Sequence, residues 1–348
     1  MPCMEASLPN GSNNYNMLPT ISIICPVYNE EKYITNCMES IISCDYPTTL
    51  MEVLFVDGMS CDHTRSIIDD YILRYPFIKL LDNNEKYVPF AMNIGIKEAK
   101  GDVIIRIDAH ASYPSNYFSV LVDTLYKLNA DNVGVVCKTE VLHKNKKTLA
   151  IKEVLSHPLG VGNSYFRTGT NKTMETDTVP FGCFRKDVFE RFGLYDTRLV
   201  RNQDIELNKR IKKGGGKTFL IPDTYCVYYA RENWEALFKN NYQNGKWNLL
   251  TVYYTSQFSS LSIRHFVPLC FILSLLIPLI LSFIYLNFIY LSVLSLIAYL
   301  TLTAFSSIKI AFKKQQHFLS LFYTFMVIHF SYGIGSLIGL IQIPFLKK

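Results

Sequence analysis

The pattern of apolar and polar positions divides the chain in two. Through the first hundred residues, short apolar runs alternate with segments of helical spacing. Residues 21–27, 53–56, 78–81 and 103–107 read as strands, and residues 30–42, 63–73 and 89–99 between them as helices. This β-α-β-α rhythm predicts a mostly parallel sheet with flanking helices. Such open sheets bind ligands beyond the carboxyl ends of their strands, which directs attention to the loops at 26–30, 57–62 and 108–112.

The second half has a different pattern. Residues 265–305 form an apolar run interrupted mainly by Pro268, Pro278 and Asn287, and 318–345 form another. A span needs about 20 apolar residues, so three transmembrane helices are expected, at 266–286, 288–306 and 318–343. Lys309, Lys313 and Lys314 between the last two place that loop on the cytoplasmic side, as does Arg264 before the first. Three crossings leave Lys347 and Lys348 outside, so two or four crossings stay open. Small residues in Tyr332-Gly333-Ile334-Gly335-Ser336 suit close helix packing. The expected organisation is an unstructured lead at 1–19, an α/β domain at 20–230, an interfacial, acceptor-side segment at 231–264 and a membrane domain at 265–345.

Charge and cysteine usage narrow the class. The net charge of +6 is spread along the chain with no basic stripe, so no nucleic-acid partner is expected, and membrane lipids fit as well. The nine cysteines have irregular spacing and no CxxC pair, which points to free thiols in a reducing compartment. The N-terminus lacks a basic and apolar leader. The sequons at Asn10 and Asn171 are then idle, and the protein is expected to be an integral membrane protein with its catalytic domain in the cytoplasm. Neither a GxGxxG fingerprint nor a Walker loop is present. The strand ends instead deliver carboxylates: Glu30, Asp57 and Asp108.

These residues carry a resemblance. Pro26-Val27-Tyr28-Asn29-Glu30, Val56-Asp57-Gly58, Asn93-Ile94-Gly95-Ile96, Gly101-Asp102-Val103 and Arg106-Ile107-Asp108-Ala109-His110, in that order, resemble the family 2 glycosyltransferases of the GT-A fold. Val179-Pro180-Phe181-Gly182-Cys183-Phe184-Arg185 and Leu199-Val200-Arg201-Asn202-Gln203-Asp204 narrow the likeness to the ExoA-type branch of succinoglycan and exopolysaccharide synthesis. The likeness covers about residues 20–250.

The resemblance implies an inverting transfer from a UDP- or GDP-sugar to a polyprenyl-linked or polysaccharide acceptor, with other polysaccharide-assembly proteins as partners. Pro26, Tyr28, Glu30 and Asp57 would meet the nucleotide. Asp108 and His110 take the place of the DxD motif and would hold Mn²⁺ or Mg²⁺ against the donor pyrophosphate; since histidine replaces the second aspartate, either His110 binds the ion, which favours Mn²⁺, or Asp108 does so with waters. Asp204, in a Gln-Asp pair where the family carries Glu-Asp, would be the general base, with Glu206 the second candidate. Phe181, Gly182 and Gln203 would face the acceptor. Gln243-Asn244-Gly245-Lys246-Trp247 resembles a Q-x-x-R-W motif with lysine for arginine, placing Trp247 under the acceptor and Lys246, with Arg231, at the pyrophosphate. Two other readings share these features: transfer to polyprenyl phosphate itself, and a membrane scaffold that binds nucleotide-sugars without turnover. A nucleotidyltransferase would need a basic glycine-rich loop where Tyr28-Asn29-Glu30-Glu31 stands.

Overall fold

The computed structural model describes residues 18–258 and 261–346. The expected lead at 1–19, apart from Leu18 and Pro19, and Lys347 and Lys348 lie outside them. Strands β1 (Ile21–Val27), β2 (Met51–Asp57), β3 (Ile78–Asp82) and β4 (Val103–Arg106) form where the apolar runs predict them, separated by α1 (Ile34–Ile42), α2 (Thr64–Ile72) and α3 (Val88–Glu98). All three pairings among them are parallel. Helices cover both faces, so the strands are apolar on both sides: Ile23, Val53 and Ile105 enter one core, and Ile24, Leu54 and Ile104 the other. Helix α1 starts later than its periodicity suggests, because Glu30 to Tyr33 form a turn in which Tyr33 and Ile34 both donate to the Glu30 carbonyl (2.9 Å each).

The rest of the sheet is mixed. It is built from β5 (Ala111–Ser112), α4 (Tyr117–Lys127), β6 (Asn132–Glu140), α5 (Lys146–Leu155), α6 (Pro158–Val161), α7 (Tyr165–Thr168), β7 (Met174–Glu175), β8 (Cys183–Arg185), α8 (Val188–Phe192), α9 (Gln203–Lys213) and β9 (Thr218–Tyr229). The strand order is β3-β2-β1-β4-β8-β6-β9-β5, with β7 on β9 and β8 antiparallel to both neighbours. The β6–β9 register slips between Val135 and Val136, opposite Pro222, which cannot donate to the ladder.

Four longer helices follow: α10 (Trp234–Thr255), α11 (Val267–Leu281), α12 (Ile289–Lys314) and α13 (Phe318–Gln342). Two segments, Leu286–Lys314 and Phe318–Phe345, are long and apolar enough to cross a membrane. The first expected span differs: α11 has 15 residues, about 22 Å at the α-helical rise, and the chain turns at Phe283 and Ile284. Helices α10 and α13 run side by side in the same direction. Trp234 Nε1 donates to Thr324 Oγ1 (3.0 Å) near one end, and Ser336 Oγ to the Gly245 carbonyl (3.0 Å) beyond it. The approach is backbone to backbone. A Cβ added at Gly335 would sit 2.0 Å from the Tyr242 carbonyl oxygen, and one at Gly245 1.9 Å from that of Tyr332.

Candidate active site

The loops after β1, β2 and β4 emerge side by side, as parallel pairing requires. Asn29 takes a left-handed φ of 54°. Its side chain accepts from the Cys61 N–H (2.9 Å) and its own N–H donates to Ser60 Oγ (2.8 Å), tying the first loop to the second. Pro26 pairs with Val56 inside the sheet, and Tyr28 lies half exposed at the rim. Asp57 is fully buried. The Ser60 N–H (3.0 Å) and hydroxyl (2.5 Å) donate to its two oxygens, and Arg65 Nη1 donates at 2.7 Å while also reaching Asp82 (2.8 Å). Both carboxylate oxygens are therefore committed within the protein.

The centre of the site is an arginine. Arg106, the last residue of β4, has a side chain 6% exposed. It donates Nη2 to Asp108 Oδ1 (3.1 Å) and Nη1 to Asp204 Oδ1. A buried guanidinium needs such partners, and here two carboxylates share one cation. Burial opposes the charge on Arg106, but Asp204 and Asp108 outweigh it and raise its pKa. Asp204 stands in the first turn of α9, after Asn202 in the left-handed region (φ 62°). Burial pushes the Asp204 carboxyl above its ordinary range, Arg106 pulls it back, and the negative Asp108 adds to the rise. Among the described residues, no side chain donates to the second oxygen of Asp204 or of Asp108, so each carboxylate keeps one oxygen for another group.

Phe181 (φ 62°) and Gly182 (φ 106°) form a left-handed pair behind this cluster. The Gly182 carbonyl accepts the Arg106 N–H (2.9 Å), and a Cβ there would meet the Phe184 ring at 2.5 Å. Gln203 is buried beside Asp204. Glu206 is bound by both Arg210 Nε (2.9 Å) and Nη2 (2.8 Å), so it is neutralised and turned along the helix away from the cluster.

His110 Nδ1 lies 3.0 Å from Glu30 Oε1. Burial opposes its charge, but the Glu30 bond and the nearby Asp108 raise its pKa to about 9. Nδ1 is engaged by Glu30, so Nε2 is the ring nitrogen left for another partner, and a divalent cation there would displace its proton. Among the described residues, no three His, Cys, Asp or Glu side chains converge as a preformed metal cage.

The remaining expected contacts are dispersed. Arg231 is exposed after β9. Lys246 and Trp247 lie within α10: the Lys246 backbone packs on Gly339, and Trp247 stacks with Tyr254 (6.4 Å between centroids). Among the described residues, neither side chain forms a hydrogen bond or ion pair with Asp108 or Asp204. The motif reaches the site through other residues: Arg201 Nη1 donates to Asn240 (3.0 Å) and Asn244 (2.6 Å), and Asn202 Nδ2 to Asn248 (3.0 Å). Arg106, Arg65 and Arg201 were not singled out in the sequence. The signal for Arg106 was a cation closing the apolar run Val103-Ile104-Ile105, which demands buried acidic partners.

Residues 22–194 match the family described as Glycosyl transferase family 2. The chain is 31% identical over 271 residues to a dolichyl N-acetyl-alpha-D-glucosaminyl phosphate 3-beta-D-2,3-diacetamido-2,3-dideoxy-beta-D-glucuronosyltransferase of Methanococcus voltae, covering 76% of this chain and 84% of the relative. It is 30% identical to the succinoglycan biosynthesis protein ExoA of Rhizobium meliloti (strain 1021), over 64% of this chain and 67% of that one. In fold it is similar to the mannosyltransferase PcManGT of Pyrobaculum calidifontis, solved with GDP-Man and Mn²⁺: TM-score 0.60, 17% identity, covering 93% of this chain and 88% of that one. With the sheet order and the strand-end carboxylates, these likenesses identify the chain as an enzyme, a family 2 glycosyltransferase of the GT-A fold similar to the ExoA-type branch.

Proposed function

We propose that this chain transfers a sugar, with inversion, from a UDP- or GDP-sugar to a polyprenyl-linked or polysaccharide acceptor, and that its catalytic domain faces the cytoplasm. The observation that carries this reading is the Arg106 clamp, which holds Asp108 and Asp204 in one pocket, each with an oxygen left over. The names of the relatives from Methanococcus voltae and Rhizobium meliloti support the acceptor class.

The donor nucleotide is assigned to the rim formed by Pro26, Tyr28, Glu30 and the loop that Asp57 braces. Protonated His110 and exposed Arg231 supply positive charge toward the donor diphosphate. Asp108 fits a divalent cation, Mn²⁺ or Mg²⁺: its spare oxygen is a hard ligand, and such ions are commonly held by one or two carboxylates together with substrate phosphates. Bound with the donor, the cation neutralises charge on the departing diphosphate. The acceptor approaches between Phe181-Gly182 and the start of α9. Its hydroxyl oxygen bonds to the anomeric carbon and passes its proton to the free oxygen of Asp204. The anomeric bond to the nucleoside diphosphate breaks, with its electron pair leaving on the diphosphate. Arg106 holds the other Asp204 oxygen throughout, so the base is oriented before the acceptor arrives.

The test is to assay the purified full chain in detergent against a panel of nucleotide-sugars for nucleoside diphosphate release. One UDP- or GDP-sugar should be turned over, EDTA should abolish release, and Mn²⁺ or Mg²⁺ should restore it, while Asp108→Ala stays inactive with either ion. Full activity in EDTA would remove the cation from the reading and shift the diphosphate to Arg231 and His110.

A further inference from the structure

Helices α12 and α13 both have the length and apolarity of a membrane span, yet they have different surroundings. Only 6% of the most apolar window of Leu286–Lys314 is buried within the protein, against 50% for Phe318–Phe345. What covers α13 is α10 and the catalytic domain on one side and the base of the α11–α12 hairpin on another, where Tyr299 OH meets His329 Nδ1 (3.1 Å), Phe271 meets Phe330 and Ile272 meets Gly333. Leu321, Phe325 and Ile328 share one core with Ala150, Ile151 and Val154 of α5. His329, about 16 Å along the helix, places Nε2 2.8 Å from the carbonyl oxygen of Leu159 in α6. Farther along, Tyr332 OH accepts from Asn248 Nδ2 (2.7 Å), and Tyr253 OH donates to the Leu346 carbonyl (2.9 Å).

These contacts decide the direction of the helix. If α13 crossed a bilayer, His329 would lie near the middle of a hydrocarbon layer about 30 Å thick, and α6 would have to lie there with it. The parallel helix α10 would follow, with Lys239, Asn240, Asn241, Gln243, Asn244 and Lys246. Arg201 and Asn202 of the active site, bonded to α10, would be drawn in as well. Such groups at that depth are strongly unfavourable without water. The composition of α13 agrees with a helix lying flat. Buried Ser320, Thr324, Ser331, Gly335, Ser336 and Gly339 face the protein, while the exposed apolar residues lie at the two ends of the helix: Leu319 and Tyr323 at its start, Leu340 and Ile341 at its finish.

The α11–α12 hairpin differs again. No charged residue occurs between His265 and Lys309. Toward its tip the hydroxyls are satisfied internally: Ser274 bonds Ser295 (2.7 Å), Ser292 the Leu275 carbonyl (2.7 Å) and Ser282 the Leu279 carbonyl (2.6 Å). That is the condition for life in lipid. The buried Thr303 and Ser307 hydroxyls at its base, in contrast, have no hydrogen-bond partner among the described residues.

We propose that α13 is an interfacial helix lying in the plane of the lipid surface, with α10 and the catalytic domain on one side and, on the other, the base of the α11–α12 hairpin at its middle and the bilayer at its ends. Only the part of the α11–α12 hairpin beyond its contacts with α13 at Ile272 and Tyr299 enters the membrane. Both ends of α13 therefore stay on the side of the catalytic domain.

The test uses the full chain with Cys3, Cys44, Cys61 and Cys270 changed to serine, reconstituted in vesicles of phosphatidylcholine and phosphatidylglycerol. A single nitroxide is placed through Leu319→Cys, Met326→Cys, Ile334→Cys or Ile341→Cys, and its depth is read from collision with oxygen and with a water-soluble nickel chelate. Retained nucleotide binding shows that each labelled protein is folded. An interfacial helix gives four depths within about 5 Å of one another, all shallow. A crossing helix gives Met326 and Ile334 at least about 10 Å deeper than the end labels, and that profile overturns the proposal. Four labels that collide only with the nickel chelate, showing no contact with lipid, overturn it equally. A second readout uses Gln315→Cys and Gln342→Cys with an impermeant maleimide in sealed vesicles. Labelling from one common face supports the interfacial helix, and labelling from opposite faces excludes it.

Discussion

Asp57 and Asp204 are both aspartates paired with an arginine at the rim of the same sheet, yet their surroundings suit them to different work. Asp57 is wholly buried, and both its oxygens are used by Ser60 and Arg65. Asp204 keeps 25% of its side chain exposed and one oxygen unclaimed by the described residues, with the other held by Arg106. A carboxylate whose lone pairs are all committed braces a loop. One that is oriented at a single oxygen, with its pKa pushed up by burial, can receive a proton. Counting partners at each oxygen distinguishes the two, where residue type and position do not.

The sharpest way to break this contrast is Asp204→Asn. A general base contributes roughly 10²- to 10⁴-fold, so transfer should fall by at least about 10² while calorimetric donor affinity is nearly unchanged. A near wild-type rate would reduce Asp204 to a helix-end carboxylate. Arg106→Met tests the clamp itself. It leaves two carboxylates facing each other without a cation, which should cost about 3–5 kcal/mol in denaturant unfolding. Arg106 is also what pulls the Asp204 pKa down, so the acid limb of the pH–rate profile should move to higher pH in any Arg106→Met protein that folds. An unmoved limb would mean that Asp204 does not titrate in the rate.

Asp57→Asn should show the opposite pattern from Asp204→Asn. Disturbing a buried, fully bonded carboxylate costs about 1–3 kcal/mol of stability, and donor affinity should weaken before the rate of the bound complex does. Equal loss of rate and affinity in both variants would erase the distinction. The smallest effect is expected for Glu206→Gln. Its helical pair with Arg210 is worth about 0.5 kcal/mol, and transfer should continue at the wild-type rate. A hundredfold loss there would make Glu206 the base instead.

Much of this was legible in the sequence because strand periodicity and strand-end loops are local properties. The four parallel strands follow from short apolar runs, and Asp57 and Asp108 stand where two of those runs end, whereas Asp204 is legible only through the resemblance of Gln203-Asp204 to the family's acidic pair. The partners were not legible. Whether Asp57 is sealed depends on Arg65 folding back from α2, and His110 meets Glu30 only because β1 and β4 are neighbours. The fate of α13 shows another limit. Its mean apolarity reads as a span, whereas its meaning lies in which side carries Ser320, Thr324, Ser331 and Ser336. An average over the helix erases that information. The packing of the Gln243–Trp247 motif was not legible for a related reason: its glycine is a contact point for α13, and the helix is fastened to Arg201 and Asn202 through Asn240, Asn244 and Asn248.

The close contact of α10 with α13 has a consequence for measurement of length. Between Gly335 and Tyr242, and between Gly339 and Lys246, backbone meets backbone with no flexible side chain in the gap. Helix α10 is in turn fastened to Arg201 and Asn202, immediately before Asp204. If α13 rests on lipid, the height of Asp204 above the bilayer becomes a nearly incompressible dimension of the molecule. A lipid-linked acceptor carries its reactive hydroxyl at a height fixed by how many sugars separate it from the membrane. The stacked helices would then act as a gauge, accepting a chain that is tall enough and passing over one that is a unit too short or too long.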